Sequence, residues 1–198
     1  IVHARNASFD IAEALGVTHF VQLDDDYYFF GFRGADGAKT IRRMDSVFED
    51  DQDFLDSSPT HSIAFDEGSD IIVGFTGVKM KRKAMNSFFC RTDRRFTFLG
   101  SINEDVNTYV VEGTRGGLFF TFTGLQLDQK DTQSQGGGMT DVYLQRGTYV
   151  KSFTSVLFNP SAVRVSMMST KHARMHHTID WGATCPKIVP HHIRRLDA

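Results

Sequence analysis

The chain has 198 residues, of which 40% are apolar and 23% are charged, and its formal net charge at pH 7 is -2. This length suits one domain with a substantial core, and the slight negative charge argues against a protein that binds nucleic acid mainly through bulk positive charge. The two cysteines, Cys90 and Cys185, form no CxxC pair, which excludes a zinc ribbon and a disulfide framework as expected features. No stretch reaches the roughly 20 apolar residues that span a bilayer, so we expect a cytoplasmic protein without a membrane partner.

The first predicted element is a helix from Asn6 to Leu15, where apolar residues recur at helical spacing. Asn6 or Ser8 can cap its start, and Gly16 can supply the left-handed residue that ends it. A buried strand is predicted over 18–23. The acidic triplet that follows this strand would then lie at its carboxyl end, where open α/β sheets place their ligands.

The rest of the chain predicts a mixed α/β domain. A helical stripe over 41–55 predicts a helix that runs into an acidic loop at 49–53, and a further helix is predicted over 83–90. Strands are predicted where β-branched and aromatic residues cluster, at 62–65, 71–75, 95–99, 109–112 and 118–123. A glycine-rich segment at 133–140 has the composition of a mobile loop leading into 141–149. Since neither a repeat nor a linker divides the chain, residues 1–198 are predicted to form a single domain.

The acidic triplet Asp24, Asp25 and Asp26 indicates a metal site. It is wedged between two apolar segments, an arrangement of like charges that is costly without a cation. Carboxylates two residues apart, here Asp24 and Asp26, can hold one hard divalent cation through oxygen, and that cation can neutralise a substrate diphosphate. The common alternative for an isolated triplet of this kind is a solvated turn.

A second acidic pair, Glu104 and Asp105, follows the predicted aromatic strand at 95–99. One of the two can act as a general base if it lies near the metal, but not on it, in a partly dry pocket that raises its pKa. A turn with two solvated acids is the alternative, and only the combination with the triplet favours the catalytic interpretation.

Two further groups of residues are candidates for binding. His176 or His177 can supply an imidazole to the same cation, a ligand set that suits Mn²⁺ better than Mg²⁺, whereas a surface or core-packed histidine is the alternative. Arg5 and Asn6 precede the carboxylate strand and can contact a nucleotide or a diphosphate, unless they are simply a helix cap with an exposed arginine. The basic run at 79–83 can touch acceptor phosphates, but a solvated face is the more common role of such a run.

The order of these features resembles that of nucleotide-sugar glycosyltransferases of the GT-A fold. Arg5 and Asn6, a helix, a strand that ends in the acidic triplet, and the later acid pair follow one another as in that family. The resemblance implies that Asp24 and Asp26 form the DxD motif, which holds Mn²⁺ or Mg²⁺ at the donor diphosphate, with Asp25 beside it. It also implies that Asp105, or failing it Glu104, is the base of an inverting enzyme.

A closer resemblance, over nearly the whole chain, is to the TET-associated glycosyltransferases of bacteriophages. It rests on the segments 4–6, 21–28, 85–89, 103–109, 137–143, 147–153, 176–177, 181 and 186–188. It implies a GT-A-like mixed sheet flanked by helices, from which the first strand and helix before Ile1 are missing. It further implies transfer of a sugar from a nucleotide sugar, expected to be a UDP-sugar, to a hydroxymethylated pyrimidine in phage DNA, in the host cytoplasm.

Two other functions are compatible with the same residues. A metal-dependent nucleotidyl- or phosphotransferase would use the carboxylates to hold two ions about 4 Å apart and would need no separate base. A catalytically inactive module would still bind nucleotide sugars. The presence of Asp24, Asp26 and Asp105 together favours a working transferase over such a module.

Overall fold

The computed structural model of the protein describes residues 1–25, 27–33, 39–40, 43–67, 78–80, 87–129, 139–168 and 174–188. In chain order these residues form α1 (Val2–Ala14), β1 (His19–Leu23), β2 (Tyr27–Arg33), β3 (Lys39–Thr40), α2 (Met44–Ser57), β4 (Ser62–Glu67), β5 (Val78–Lys79), β6 (Ser87–Arg91), α3 (Glu104–Thr114), β7 (Phe119–Gln129), α4 (Met139–Phe158), β8 (Val163–Met168) and β9 (Arg174–Ile179). This alternation of helices and strands confirms the predicted α/β class. None of the helices in this part of the chain combines the length and the apolar character needed to cross a lipid bilayer.

The main sheet is mixed, as expected for a GT-A-like fold. Its strands lie in the order β1-β6-β4-β7-β2-β3, and only the central pair β4 and β7 is parallel. The long strand β7 pairs with β5 through its first half and with β2 through its second half. A separate antiparallel hairpin, β8 and β9, packs against α4. Strand β1 is therefore an edge strand, and the acidic triplet begins directly after its last residue.

An aromatic cluster joins α1, α3 and the sheet. Buried rings from α1, β6, the segment before α3, α3 itself and β7 pack together, namely Phe9, Phe88, Phe96, Phe98, Tyr109 and Phe119. Each of these rings removes a large apolar area from water and packs edge to face or tilted against its neighbours. The packing of these rings thus fixes the position of α1 relative to the start of α3.

The first helix and strand were predicted correctly, although the capping residues were not. Helix α1 begins at Val2, four residues earlier than predicted, so Asn6 and Ser8 lie inside it and do not cap it. Ser8 instead donates a hydrogen bond to the carbonyl oxygen of Arg5. Gly16 has a φ of 67°, which confirms the left-handed residue at the helix end.

Several other predictions were wrong in the described part of the chain. The segment 95–99 is not a strand, and 109–112 belongs to α3, because tertiary packing overrides the β preference of its valines and tyrosine. The predicted helix over 83–90 contains strand β6, and the acidic run 49–53 lies within helix α2 and forms no loop. The predicted strand at 71–75 and the glycine triplet at 136–138 fall outside the described residues.

Helix α2 buries an aspartate within its apolar stripe. Val47, Asp51 and Leu55 recur at helical spacing on the face that packs against the sheet. The side chain of Asp51 is 0% exposed, and neither of its carboxylate oxygens has a hydrogen-bond partner. Burial, reinforced by the neighbouring charge of Asp50, raises the pKa of Asp51 to about 7.

We expect Asp51→Asn to remove a pH-dependent loss of stability. The pKa of Asp51 is higher in the folded chain than in the unfolded chain, so its contribution to stability is complete below about pH 4 and is lost as the pH rises through about 7. The free-energy difference between variant and wild type, measured by urea unfolding, should grow by about 2 to 3 kcal/mol in favour of the variant from pH 5 to pH 8. Asp53→Asn, on the exposed face of the same helix, should show no such growth. A constant difference for Asp51→Asn would contradict the burial of an unpaired carboxyl.

Candidate active site

Arg5 links the two acidic motifs. It is only 6% exposed, and its Nη2 donates to Asp24 Oδ1 at 2.7 Å while its Nε donates to Glu104 Oε1 at 3.1 Å. The guanidinium also lies over the rings of Phe88 and Phe98, at 5.0 and 5.5 Å from their centroids. Carboxylates from two distant stretches of the chain therefore meet around one buried cationic side chain. An exposed arginine at a helix cap, the alternative considered for Arg5, is wrong.

The neighbours of Arg5 hold α1 in place. The Asn6 side chain accepts a hydrogen bond from the backbone N–H of Phe98 at 2.8 Å and donates to the carbonyl oxygen of the same residue at 3.1 Å. Gln22 of β1 donates to the carbonyl oxygen of Arg5 at 3.2 Å. Asn6 thus fixes the segment before α3 beside α1, and its predicted contact with the donor nucleotide stays a prediction.

Asn103 turns the chain so that both acids enter the first turn of α3. It has the left-handed conformation with φ 53° and ψ 43°, which asparagine tolerates better than most residues. Its side-chain amide donates to the carbonyl oxygen of Lys151 at 2.8 Å and to Ser155 Oγ at 3.1 Å, both in α4. The acid pair is therefore held from one side by Arg5 and from the other by α4. A solvated turn, the alternative considered for Glu104 and Asp105, is wrong.

The segment that precedes Asn103 is equally well fixed. Gly100 has a φ of 84°, and a Cβ atom there would lie 2.7 Å from Asn107 Nδ2 and about 3 Å from the ring of Phe158. Asn107 donates to the carbonyl oxygens of Leu99 and Ile102 at 3.0 and 2.9 Å. Side-chain amides, and not a sheet ladder, thus hold this aromatic segment in place.

Asp105 has the electrostatic environment of a general base. Desolvation by burial, and then repulsion from Glu104 and Asp24, raise its pKa to about 7, although Arg5 and a 2.7 Å hydrogen bond from the Val106 N–H act in the opposite direction. The residue as a whole is half-buried. A carboxylate that titrates near neutral pH is well matched to taking a proton from a substrate hydroxyl.

A cleft of about 400 Å³ lies beside Arg5 and Asp24. Helix α1 forms one wall, and the end of β1 with Asp24 and Asp25 forms the other. Its lining residues are Ile1, Ala4, Arg5, Ser8, Val21, Gln22, Leu23, Asp24 and Asp25. Its volume falls in the range of small-molecule sites, and its position at the carboxyl end of β1 is the one predicted from sequence. Asp25 is exposed to the cleft, while Asp26 lies outside the described residues.

The histidine pair lies in the hairpin of β8 and β9, which packs against α4. His176 and His177 are in β9, their rings stack with centroids 4.4 Å apart, and Ser152 of α4 donates to the carbonyl oxygen of Met175 at 3.0 Å. His177 is buried, and its Nδ1 has no hydrogen-bond partner. Burial, with smaller effects of His176 and Lys151, lowers the pKa of His177 to about 4, so this imidazole is neutral at pH 7. A neutral imidazole is the form that binds metal.

The described residues satisfy the needs of a cation site only in part. Among them, no three His, Cys, Asp or Glu side chains converge as a ready set of ligands, so Asp24, Asp25 and a histidine do not form one by themselves. A magnesium-type site at a diphosphate uses one or two protein carboxylates and completes its shell with phosphate oxygens and water. Asp24 at the mouth of the cleft fits this kind of site, and Asp26 is the second carboxylate predicted for it.

Sequence reasoning missed the link between Arg5 and Glu104 and assigned no role to Phe88 and Phe98. The signal for Arg5 was its position on the helix, because it falls on the same face as the buried Phe9 and Ala12. An arginine on the apolar face of a helix needs buried countercharges, and the two acidic motifs are the obvious source. Nothing in the sequence marks the two aromatic rings that its guanidinium contacts.

Comparison with known proteins identifies the family to which the chain belongs. A family model described as TET-Associated Glycosyltransferase matches residues 1–138, which include Arg5, the acidic triplet and the acid pair but not the histidine pair. Searches of curated proteins and of solved structures gave no significant match. The match covers well over half of the chain, and Arg5 joins the two acidic motifs within it. The chain therefore belongs to the TET-associated glycosyltransferase family and is a glycosyltransferase.

Proposed function

We propose that this enzyme uses a divalent cation to transfer a sugar from a nucleotide sugar, a UDP-sugar in the first instance, to the hydroxymethyl group of a modified pyrimidine in DNA. The observation that carries the proposal is the double ion pair of Arg5, because it puts Asp24 of the triplet and Glu104 of the acid pair within reach of one guanidinium. A site for the donor diphosphate and a base for the acceptor are then neighbours. The association with TET dioxygenases in the family's name supports an acceptor that carries a hydroxymethyl group.

The donor would lie in the cleft between α1 and the end of β1. Its diphosphate would face Asp24 and Asp26, which are the residues to hold Mn²⁺ or Mg²⁺, with Asp25 and Arg5 beside them. The cation, when bound, supplies neutralisation of the charge that builds up on the departing nucleoside diphosphate. Asp24 lines the cleft and pairs with Arg5, so this ion pair would fix its carboxylate before the donor arrives.

Asp105 would act on the acceptor. The hydroxymethyl oxygen attacks the anomeric carbon, Asp105 takes the hydroxyl proton, and the electron pair of the broken bond leaves with the nucleoside diphosphate. Attack from the face opposite the leaving group inverts the anomeric centre. Glu104 is tied to Arg5 at 3.1 Å and serves better as a positioning residue than as the base.

Mass spectrometry of a hydroxymethylcytosine oligonucleotide, incubated with a panel of nucleotide sugars, tests the proposal. We expect a mass increase of one sugar residue that requires Mn²⁺ or Mg²⁺ and disappears with EDTA. Asp24→Asn should lower the yield strongly and raise the metal concentration needed, because it removes one of the proposed cation ligands. Asp10→Asn is the matched control, since Asp10 is an exposed carboxylate of α1 that pairs with Arg95 on the surface. Transfer that persists in EDTA would contradict metal dependence, and the absence of transfer with every sugar would contradict the acceptor.

A further inference from the structure

The acidic triplet joins two strands that are not neighbours in the main sheet. It follows β1 directly and is followed by β2, and in strand order β6, β4 and β7 lie between these two strands. Both ends of the link are fixed by strand pairing, since Leu23 pairs with Ser87 and Tyr27 pairs with Gln129. The direction of the Asp24 carboxylate therefore depends on contacts made within a very short connection.

The phenol of Tyr27 holds the first residue of the triplet. The backbone N–H of Asp24, which lies just beyond the last residue of β1, donates a hydrogen bond to Tyr27 Oη at 3.1 Å. Asp24 is also held at its carboxylate, where Oδ1 accepts from Arg5 Nη2 at 2.7 Å. A backbone contact and a side-chain contact together leave this carboxylate little freedom to turn.

The ring of Tyr27 is anchored in the core between α2 and the sheet. It packs against the cluster formed by Val47, Phe65 and Leu127. It also meets the ring of Phe30, with centroids 6.5 Å apart and planes inclined by 67°. A ring that is packed in this way has few other rotamers open to it, so its hydroxyl is a well-placed acceptor for the turn above.

Tyr27 also interacts with the helix that carries the acid pair. Burial raises the pKa of Tyr109 in α3 well above its usual value, Asp105 and Cys90 raise it further, Arg5 opposes them, and Tyr27 adds a smaller increase. Such an effect requires the two phenols to lie within electrostatic range of each other. Tyr109 follows Asp105 by one helical turn, so Tyr27 belongs to the same group of interacting side chains as the acid pair.

We propose that Tyr27 is a positioning residue for the cation site, and that its hydroxyl acts by fixing the orientation of Asp24. The proposal rests on the proposed function, since it takes Asp24 to be a ligand of the divalent cation. Residues that orient a metal ligand without touching the metal contribute strongly to metal affinity. Neither the acidic motifs nor the family's name assigns such a role to the residue that follows the triplet.

Electron paramagnetic resonance of Mn²⁺, titrated into the protein with and without UDP, tests this role without any need for activity. Tyr27→Phe keeps the packed ring and removes only its oxygen, so the dissociation constant for Mn²⁺ should rise by roughly 10- to 100-fold. The midpoint of urea unfolding should change little, because water can replace the phenol without fixing Asp24 in place. Tyr28→Phe is the matched control, since it removes the same atom from a neighbouring tyrosine that is 63% exposed, and it should bind Mn²⁺ as wild type does.

The double variant Tyr27→Phe with Asp24→Asn separates positioning from a general structural effect. If the phenol acts through Asp24, Tyr27→Phe should change Mn²⁺ affinity much less in the Asp24→Asn background than in wild type. Equal losses in both backgrounds, or a rise of less than about threefold for Tyr27→Phe alone, would overturn the role of Tyr27 and leave the proposed function intact. Absence of Mn²⁺ binding by wild type, with or without UDP, would instead overturn the metal site and the positioning role with it.

Discussion

Asp105→Asn is expected to lower the rate of sugar transfer by about 10²- to 10⁴-fold, the usual contribution of a general base. The amide has the same shape as the carboxylate and can still accept the hydrogen bond from the Val106 N–H, but it cannot take up the acceptor proton. Donor binding should be almost unchanged, because Asp105 is not among the residues that line the cleft. Single-turnover transfer and calorimetric titration with UDP-sugar and Mn²⁺ measure the two effects separately.

The pH dependence of wild type gives an independent measure of the same role. Since burial and two neighbouring acids raise the pKa of Asp105 to about 7, the fraction of active base should increase through neutral pH and level off above it. Asp10→Asn should keep this profile. Transfer by Asp105→Asn within a few fold of wild type, or a wild-type rate that falls between pH 6 and pH 8, would remove Asp105 from the role of base.

Arg5→Met is expected to destabilise the folded protein by about 3 to 5 kcal/mol. The substitution keeps much of the buried volume but leaves Asp24 and Glu104 without the countercharge that each of them contacts. Urea unfolding measures the loss. Arg95→Met is a close control, because Arg95 also lies over a phenylalanine ring and pairs with an aspartate, but on the surface. An exposed pair of this kind contributes at most about 1 kcal/mol.

Arg5→Lys gives a second test that does not depend on unfolding. Lysine keeps the positive charge but offers a single nitrogen, so it cannot hold both carboxylates in the geometry of the guanidinium fork. Arg5 lowers the pKa of Asp105, and a weaker or displaced charge should therefore move the rise of the pH–rate profile to higher pH. An unchanged profile together with wild-type stability would show that the bridge between the acidic motifs is unimportant.

How much of the molecule could be predicted depends on whether local pattern or tertiary contact decides the structure. Helix α1 and strand β1 follow their hydrophobic periodicity, so the position of Asp24 and Asp25 at the strand end was predicted. Helix α3 was not, because Tyr109, Val110 and Val111 favour a strand in isolation. These residues are helical where Val106, Val110 and Val111 pack against Val163, a contact that local sequence does not contain.

The same distinction applies to the site. Acidic residues at two positions indicated a shared cleft, and the link through Arg5 agrees with that hypothesis. The sequence did not reveal how Glu104 and Asp105 are positioned. Their position depends on the left-handed conformation of Asn103 and on its hydrogen bonds to α4, about 50 residues further along the chain. Asp26 lies outside the described residues, so its predicted place beside Asp24 stays a prediction.

The hydrogen bonds of the Asn103 amide make the position of the acid pair dependent on helix α4, which lies much later in the chain. Its two acceptors, the Lys151 carbonyl and the Ser155 hydroxyl, lie beyond residue 138, where the recognisable family signature stops. A recombinant fragment that ends at residue 138 would retain the acidic triplet and the acid pair. It would lose the two acceptors in α4 that hold Asn103, and therefore the acid pair, in position. Shortening the protein to the part that the family model matches should therefore yield a poor catalyst, even where the remaining sheet folds.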